Sequence, residues 1–255
     1  MKPHNSKSRE LASRTALITG AGRGLGRGIA LELAAMGAHV VLCGRTRAVL
    51  DETAAAIERS GGRAVVLVAD ITARNFTAEL ERVAPQLDVV VHNATSFPSY
   101  GALEDVLAAE IARVHEVAVL APMRITAHVL GGMKERGFGR IVFLGSIAAS
   151  TGAIHQAPYA SAKSALSGLV KSLALECAAR GVTCNLVEPG LVLTERVLEA
   201  IPARTRDALI ASTPMGRPGT VEEIAAVVGF LASPRASYVT GACIPVAGGL
   251  GLGLM

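Results

Sequence analysis

The sequence has no tryptophan, and its aromatic residues make up only 3% of 255 positions. A core built almost without rings has to be filled by aliphatic side chains. The 51% apolar content is rich in Val, Ile, Leu and Ala, the mixture of buried parallel strands under alanine-rich helices. The four cysteines, Cys43, Cys177, Cys184 and Cys243, form no CxxC pair and no Cys/His cluster, which excludes a zinc site or a disulfide framework. Cys43, Cys184 and Cys243 lie in or beside apolar runs and read as small core residues. No metal site is expected. The stretch "IAAVVGFLA" near the C-terminal end is too short to span a bilayer, and the opening "MKPHNSKSRELAS" lacks the apolar centre of a secretory signal. Net charge is +4, with no basic stripe interleaved with aromatics, so nucleic acid is not expected as a partner. The expectation is a soluble cytoplasmic protein, away from membranes, acting on a small molecule.

Short apolar strands and amphipathic helices alternate along the chain. Strands are read at "TALIT" (15–19), "AHVVLC", "RAVVLVAD", "LDVVVHNA", "GRIVFLGS", "GVTCNLVEPG" and "ACIPVAGG". Helices are read over about 25–36, over "RAVLDETAAAIERS" up to Gly61–Gly62, over "TARNFTAELERVAP", and over about 103–134 with a kink at Pro122. Two more follow, from Tyr159 to about Ala179 and over 220–232, with a looser segment at 191–218 between them. This alternation defines an α/β chain: a Rossmann-type, doubly wound parallel sheet of seven strands with helices on both faces. No composition break or internal repeat divides it. Residues 1–12 read as a flexible tail and 13–255 as one dinucleotide-binding catalytic domain.

"TGAGRGLG" (19–26) stands between the first strand and the first helix, where a dinucleotide's phosphates bind. Gly20 makes the tight exit from the strand, while Gly24 and Gly26 let backbone approach phosphate and let helix approach sheet. The helix N-terminus offers free N–H groups to the anion. The turn residues Gly20, Arg23, Gly24, Leu25 and Gly26 are the candidate cofactor cradle. The second strand ends in Gly44 and Arg45, where an NAD enzyme of this architecture usually places an acid for the ribose 2′-hydroxyl. A guanidinium binds a 2′-phosphate that an acid would repel, and Arg23 adds a second positive group. The reading favours NADP(H), with NAD(H) as the lesser alternative.

"YASAK" (159–163) puts Tyr159 and Lys163 one helical turn apart on one face. Spacing alone leaves two readings: an ordinary turn with two polar residues, or a proton donor and the cation that tunes it. A free phenol titrates near about 10, and a neighbouring ammonium lowers that value.

Taken together and in order, "TGAGRGLG", "HNA", "GS", "YASAK", "PGLVLT" and the terminal "AGG" resemble the short-chain dehydrogenase/reductase family in its classical, ketoacyl-reductase-like type. The resemblance spans nearly the whole chain. It implies that Tyr159 is the general acid in carbonyl reduction and the base in alcohol oxidation. It implies that Lys163 holds the nicotinamide ribose and lowers the tyrosine pKa, and that Ser146 hydrogen-bonds the substrate oxygen. It further implies that Asp70 meets the adenine, Asn93 and Ala94 flank the adenosine ribose, and Pro189, Gly190, Val192 and Thr194 surround the nicotinamide carboxamide. The implied activity is an NADP(H)-dependent oxidoreductase acting on a ketone or secondary alcohol, and the implied assembly is a homo-oligomer, tetramer or dimer.

Three positions depart from the family pattern. "HNAT" brings His92 and Thr95 where Asn and Gly are usual, Ala247 stands where an acid is frequent, and Ala118 occupies the position of a catalytic Asn. In relatives that Asn position holds a water of the proton relay. His115, three residues from Ala118, reads as a surface histidine. The second functional reading follows from Ala118: a dinucleotide-binding sensor or scaffold with weak or no catalysis. The segment 191–218 is expected to be a lid, and Phe97, His155 and Leu191 are expected to line the substrate pocket with Ser146 and Tyr159. Arg196, Arg204 and Arg206 either favour an anionic substrate, such as an acyl carrier, or are simply solvated.

Overall fold

The computed structural model describes residues 9–252. Seven strands form one parallel sheet in the order β3-β2-β1-β4-β5-β6-β7. They are β1 (Thr15–Thr19), β2 (His39–Gly44), β3 (Arg63–Val68), β4 (Val89–His92), β5 (Gly139–Leu144), β6 (Val182–Pro189) and β7 (Cys243–Val246). β1 is paired to both β2 and β4, so the strand order reverses beside it. A crevice opens at such a reversal, at the carboxyl ends of the strands.

The helices are α1 (Gly24–Ala35), α2 (Arg47–Arg59), α3 (Phe76–Val83), α4 (Ala108–His115), α5 (Ala121–Arg136), α6 (Ala148–Thr151), α7 (Ala157–Cys177), α8 (Glu195–Ala200), α9 (Ala203–Ala211) and α10 (Val221–Ala232). The central strands are apolar on both faces because both are covered. Ile29 and Leu33 of α1, Leu50 and Ile57 of α2, and Ile224 and Val228 of α10 pack on one face, with Val40 and Val91 beneath them. Phe76 and Leu80 of α3, Ile125 of α5, and Leu166 and Val170 of α7 pack on the other, over Leu17, Val90 and Phe143. Among the described residues no helix is long and apolar enough to cross a membrane.

Three elements differ from the sequence reading. Residues 9–12 are not a loose tail. Leu11 is fully buried and its N–H donates to the Met36 carbonyl at 3.0 Å, because the turn before β1 closes the bottom of α1. Residues 1–8 of that expected tail, and 253–255 of the expected domain, lie outside the described residues. The long helix with a proline kink is instead two helices joined by a wide π-type turn, Glu116–Leu120, after a short 3₁₀ turn at Leu103–Asp105. Pro122 has no N–H to offer the carbonyl four residues back, so the ladder widens by a residue and the chain continues as α5. The looser segment 191–218 contains two short helices, α8 and α9, pinned by a bridge between Val192 and Gly219.

Candidate active site

The glycine turn leaves β1 through Gly20 (φ +69°) and enters α1 at Gly24 (φ +48°), two backbone conformations that suit glycine. A side chain on Gly26 would run into the Gly20 carbonyl and would lie 2.5 Å from Asn93 Nδ2. The turn is therefore a bare backbone cradle. Its floor is held by Thr19. The Thr19 hydroxyl accepts the N–H groups of Asn93 and Ala94 at 3.0 Å each and donates to the Val91 carbonyl at 3.4 Å. Asn93 Nδ2 donates to the Thr19 and Gly20 carbonyls at 2.9 and 3.2 Å. β1 and β4 are thus laced together beneath the crevice.

A cavity of about 430 Å³ runs from this cradle to the end of α7. Its wall includes every residue expected to bind the cofactor: Gly20, Arg23, Gly24, Leu25, Gly26, Arg45, Asp70, Asn93, Ala94, Pro189, Gly190, Val192 and Thr194, with Tyr159 and Lys163. Ser146 lies on the same wall. Arg23 and Arg45 are exposed at the cradle end, with no acid at position 44 or 45. Gly190 abuts the Ala247 backbone, and its N–H donates to Val246 at 3.0 Å. The Thr194 hydroxyl caps α8 by accepting the Val197 N–H at 3.3 Å, which leaves its own proton free to donate.

At the other end, α7 begins at Ala157 with Pro158 in its first turn, where a missing N–H costs nothing. Tyr159 and Lys163 follow on one face. Ser146 shares the cavity wall with Tyr159, and its Oγ accepts the Ala148 N–H at 3.2 Å. Lys163 is only 3% exposed, and its ammonium lies 5.7 Å from the Tyr159 ring centre and donates to the Leu144 carbonyl at 2.6 Å.

Burial pushes the phenol of Tyr159 up, with the Ser146 hydrogen bond working against it. Burial also pulls the Lys163 ammonium down to about 8. Desolvation is the largest influence on both groups, and the Lys163 ammonium gives one of its three donors to a backbone carbonyl.

Other residues clarify the site. Asp70 receives the Thr72 N–H at 2.9 Å, the Thr72 hydroxyl at 2.8 Å and Arg113 at 2.8 Å. Burial works to raise its carboxyl, but these donors outweigh it and hold it at about 2. Arg113, on the cavity wall, was not singled out from sequence. Its only signal there is a basic residue on the helix approaching Ala118. His92 faces away from the cavity. Its Nε2 pairs with the Thr126 hydroxyl at 2.9 Å, and burial lowers it to about 3, so the ring is neutral. Ala118 packs against Val114 and Ala162, one residue before Lys163. His115 is tied to the Ile111 carbonyl and Ser161, at 3.0 and 3.3 Å. Phe97 and Thr95 line the cavity, as does Val117, but two expected pocket residues do not. His155 is exposed, at φ +60°, with its ring edge-on to Tyr100 at 5.3 Å. Leu191, two residues past β6, is buried off the wall, with its carbonyl accepting the Gly219 N–H at 2.9 Å.

Fold and site together define a Rossmann-type dinucleotide enzyme. Residues 20–251 match the family model described as enoyl-(acyl carrier protein) reductase. The chain is 37% identical over 249 residues to the 3-oxoacyl-(acyl-carrier-protein) reductase FabG of Pseudomonas aeruginosa, covering 94% of this chain and 98% of that protein. A 3-oxoacyl (acyl-carrier-protein) reductase structure from Agrobacterium tumefaciens with NADP bound superposes with a TM-score of 0.87 at 31% identity, over 97% of each chain. A second such reductase, from Brucella melitensis with bound NAD, gives a TM-score of 0.90 at 30% identity, over 97% of this chain and 95% of that one. The chain belongs to the short-chain dehydrogenase/reductase family, in its classical, ketoacyl-reductase-like type.

Proposed function

We propose that this protein reduces a ketone to a secondary alcohol with NADPH, Tyr159 giving the proton. The observation that carries the reading is that Ser146, Tyr159 and Lys163, the last two one turn apart on α7, line the same cavity as the glycine cradle. When bound, the reduced nicotinamide supplies the hydride that the carbonyl carbon takes up. Ser146 and Tyr159 both face the carbonyl oxygen: Ser146 donates a hydrogen bond and Tyr159 transfers its proton as negative charge develops there. Burial keeps the phenol protonated at neutral pH, which suits an acid and therefore the reducing direction. Lys163 holds the ribose end and faces the tyrosine ring.

The bare backbone of Gly20, Gly24 and Gly26 fits a pyrophosphate. Asp70 is assigned to the adenine, Asn93 and Ala94 to the adenosine ribose, and Pro189, Gly190, Val192 and Thr194 to the carboxamide. NADP is preferred over NAD because Arg23 and Arg45 stand at the cradle end with no acid to repel a 2′-phosphate. The solved relatives with bound nucleotide include one with NADP and one with NAD. The reading includes a single catalytic domain over 13–255 with 191–218 as lid, a cytoplasmic location, and a homo-oligomer. The exposed Leu120, Met123 and Leu175 on the helices beside the site support the last of these.

The test follows NADPH and NADH absorbance in parallel against a panel of ketones. The expected result is turnover with kcat/KM at least about tenfold higher for NADPH, one charge-assisted contact's worth. Tight NADPH binding with no turnover on any ketone would favour the sensor or scaffold instead.

A further inference from the structure

The three lid arginines do not share one role. Arg206 is spent inside the lid, where its guanidinium donates to the Leu198 carbonyl at 3.3 Å and to that of Ile201. Arg204 is exposed and off the cavity wall. Arg196 is on the wall, with its guanidinium 5.6 Å from the centre of the Phe97 ring. Phe97 is in turn stacked on Tyr159, with ring centres 4.9 Å apart and planes 15° from parallel. The proton donor, an apolar plate and a cation therefore stand in sequence at the catalytic end.

The other cations of the wall have different work. Arg23 and Arg45 are at the cradle end, Arg113 is bound to Asp70 and Thr72, and Lys163 is bound to the Leu144 carbonyl. Arg196 has a carboxylate neighbour in Glu199 at 3.4 Å, but both side chains are more than half exposed, 58% and 60%. Exposed pairs of this kind are held weakly and exchange readily for a better partner. Glu195 does not compete, because its carboxylate faces the glycine turn, 3.8 Å from where a side chain on Gly24 would begin.

We infer that Arg196 selects substrates carrying a carboxylate, so that the ketone is an oxo acid and its product a hydroxy acid. This rests on the reductase reading above. A carboxylate meets a guanidinium through two parallel hydrogen bonds, and Phe97 offers a flat apolar wall to the carbons between carboxylate and ketone. The ketone carbon gains the hydride and its oxygen the Tyr159 proton, while the carboxylate is unchanged. The short step from Tyr159 to Arg196 favours a small acid over a carrier-bound thioester, whose phosphate lies a whole pantetheine arm from the ketone.

The experiment compares linear oxo acids of increasing chain length with their methyl esters, using NADPH, in the wild type, Arg196→Gln and Arg204→Gln. In the wild type, kcat/KM should favour at least one acid over its ester by about tenfold or more, the low end for a hydrogen bond to a charged group. Arg196→Gln should erase that ratio mainly through the KM of the acid. Arg204→Gln should keep it. Esters reduced as well as every acid, or a ratio that survives Arg196→Gln, would overturn the inference and leave the reductase reading standing. No reduction of any ketone would overturn both.

Discussion

Two buried cations stand at opposite ends of the same strand. Arg140, at the start of β5, and Lys163, bonded to the carbonyl that ends β5, are each 3% exposed. Arg140 is held by several carbonyls. Its guanidinium donates to the carbonyls of Gly139 at 2.8 Å, Gly181 at 3.1 Å and Ser233 at 3.3 Å, and its plane covers the Phe138 ring at 4.3 Å. Lys163 donates one hydrogen bond among the described residues. Burial lowers the pKa of both, but an arginine stays charged where a lysine is brought within reach of neutral pH. The lower end of the sheet uses its charge to fasten three segments. The upper end keeps a charge poorly solvated, which favours stability less and chemistry more.

The comparison can be broken most sharply at Tyr159. Tyr159→Phe should lower kcat for ketone reduction by about 10²–10⁴-fold, the usual range for a positioned acid, with the fold intact by circular dichroism. Activity within about tenfold of wild type would mean that another group donates the proton.

The two cations should then differ in sign. Arg140→Met removes three hydrogen bonds to backbone carbonyls and should cost roughly 2–4 kcal/mol in urea unfolding. Lys163→Met should abolish turnover, but it removes a desolvated charge, so near neutral pH its stability should equal or exceed that of wild type. The folded lysine titrates near 8, below its ordinary 10.5, so between these values the unfolded chain binds more protons. The wild-type penalty is complete below about pH 8 and is relieved as pH rises toward 10.5. Lys163→Met should therefore lose its advantage across that window. A difference in unfolding midpoint that is flat with pH would contradict this account.

Ser146→Ala should cost roughly 10–100-fold in kcat, the low end for an oxyanion donor. Because Ser146 works to lower the tyrosine, its loss should also move the rising limb of alcohol oxidation, where the phenol must lose its proton, to higher pH. Glu195→Gln removes a carboxylate facing the phosphate cradle. It should tighten NADPH binding by up to about fivefold at low salt and less at high salt, as fluorescence titration would register. The smallest effect is expected at Ala118→Asn, where activity should be equal or higher, and a collapse would show that the alanine is required.

What was legible in the sequence was local. The glycine turn and the Tyr159–Lys163 spacing are local signals, Ser146 enters only through the family resemblance, and the strand–helix alternation brings all of them to one cavity. What was not legible depends on distant partners. Arg113 and Asp70 are far apart in the chain, and nothing beside either announces the pair. The order of pKa values at Tyr159 and Lys163 depends on burial, which a motif does not record. Leu11 looked like tail because its neighbours are polar, and α8 and α9 were read as loop because short exposed helices carry little apolar periodicity. At Pro122 the sequence names the residue that disturbs the helix, and the disturbance includes a widened turn just before it.

The Thr19 hydroxyl accepts two hydrogen bonds and donates a third, so its full bonding capacity is in use. Such a group neither reacts nor yields. The floor of the crevice is therefore a fixed reference plane, and on the proposed reading of 191–218 as a lid, adjustment to differently sized guests falls to that roof. For an engineer this divides the molecule cleanly: altered substrate range is to be sought in the roof, while changes at the floor trade away the alignment on which every guest depends.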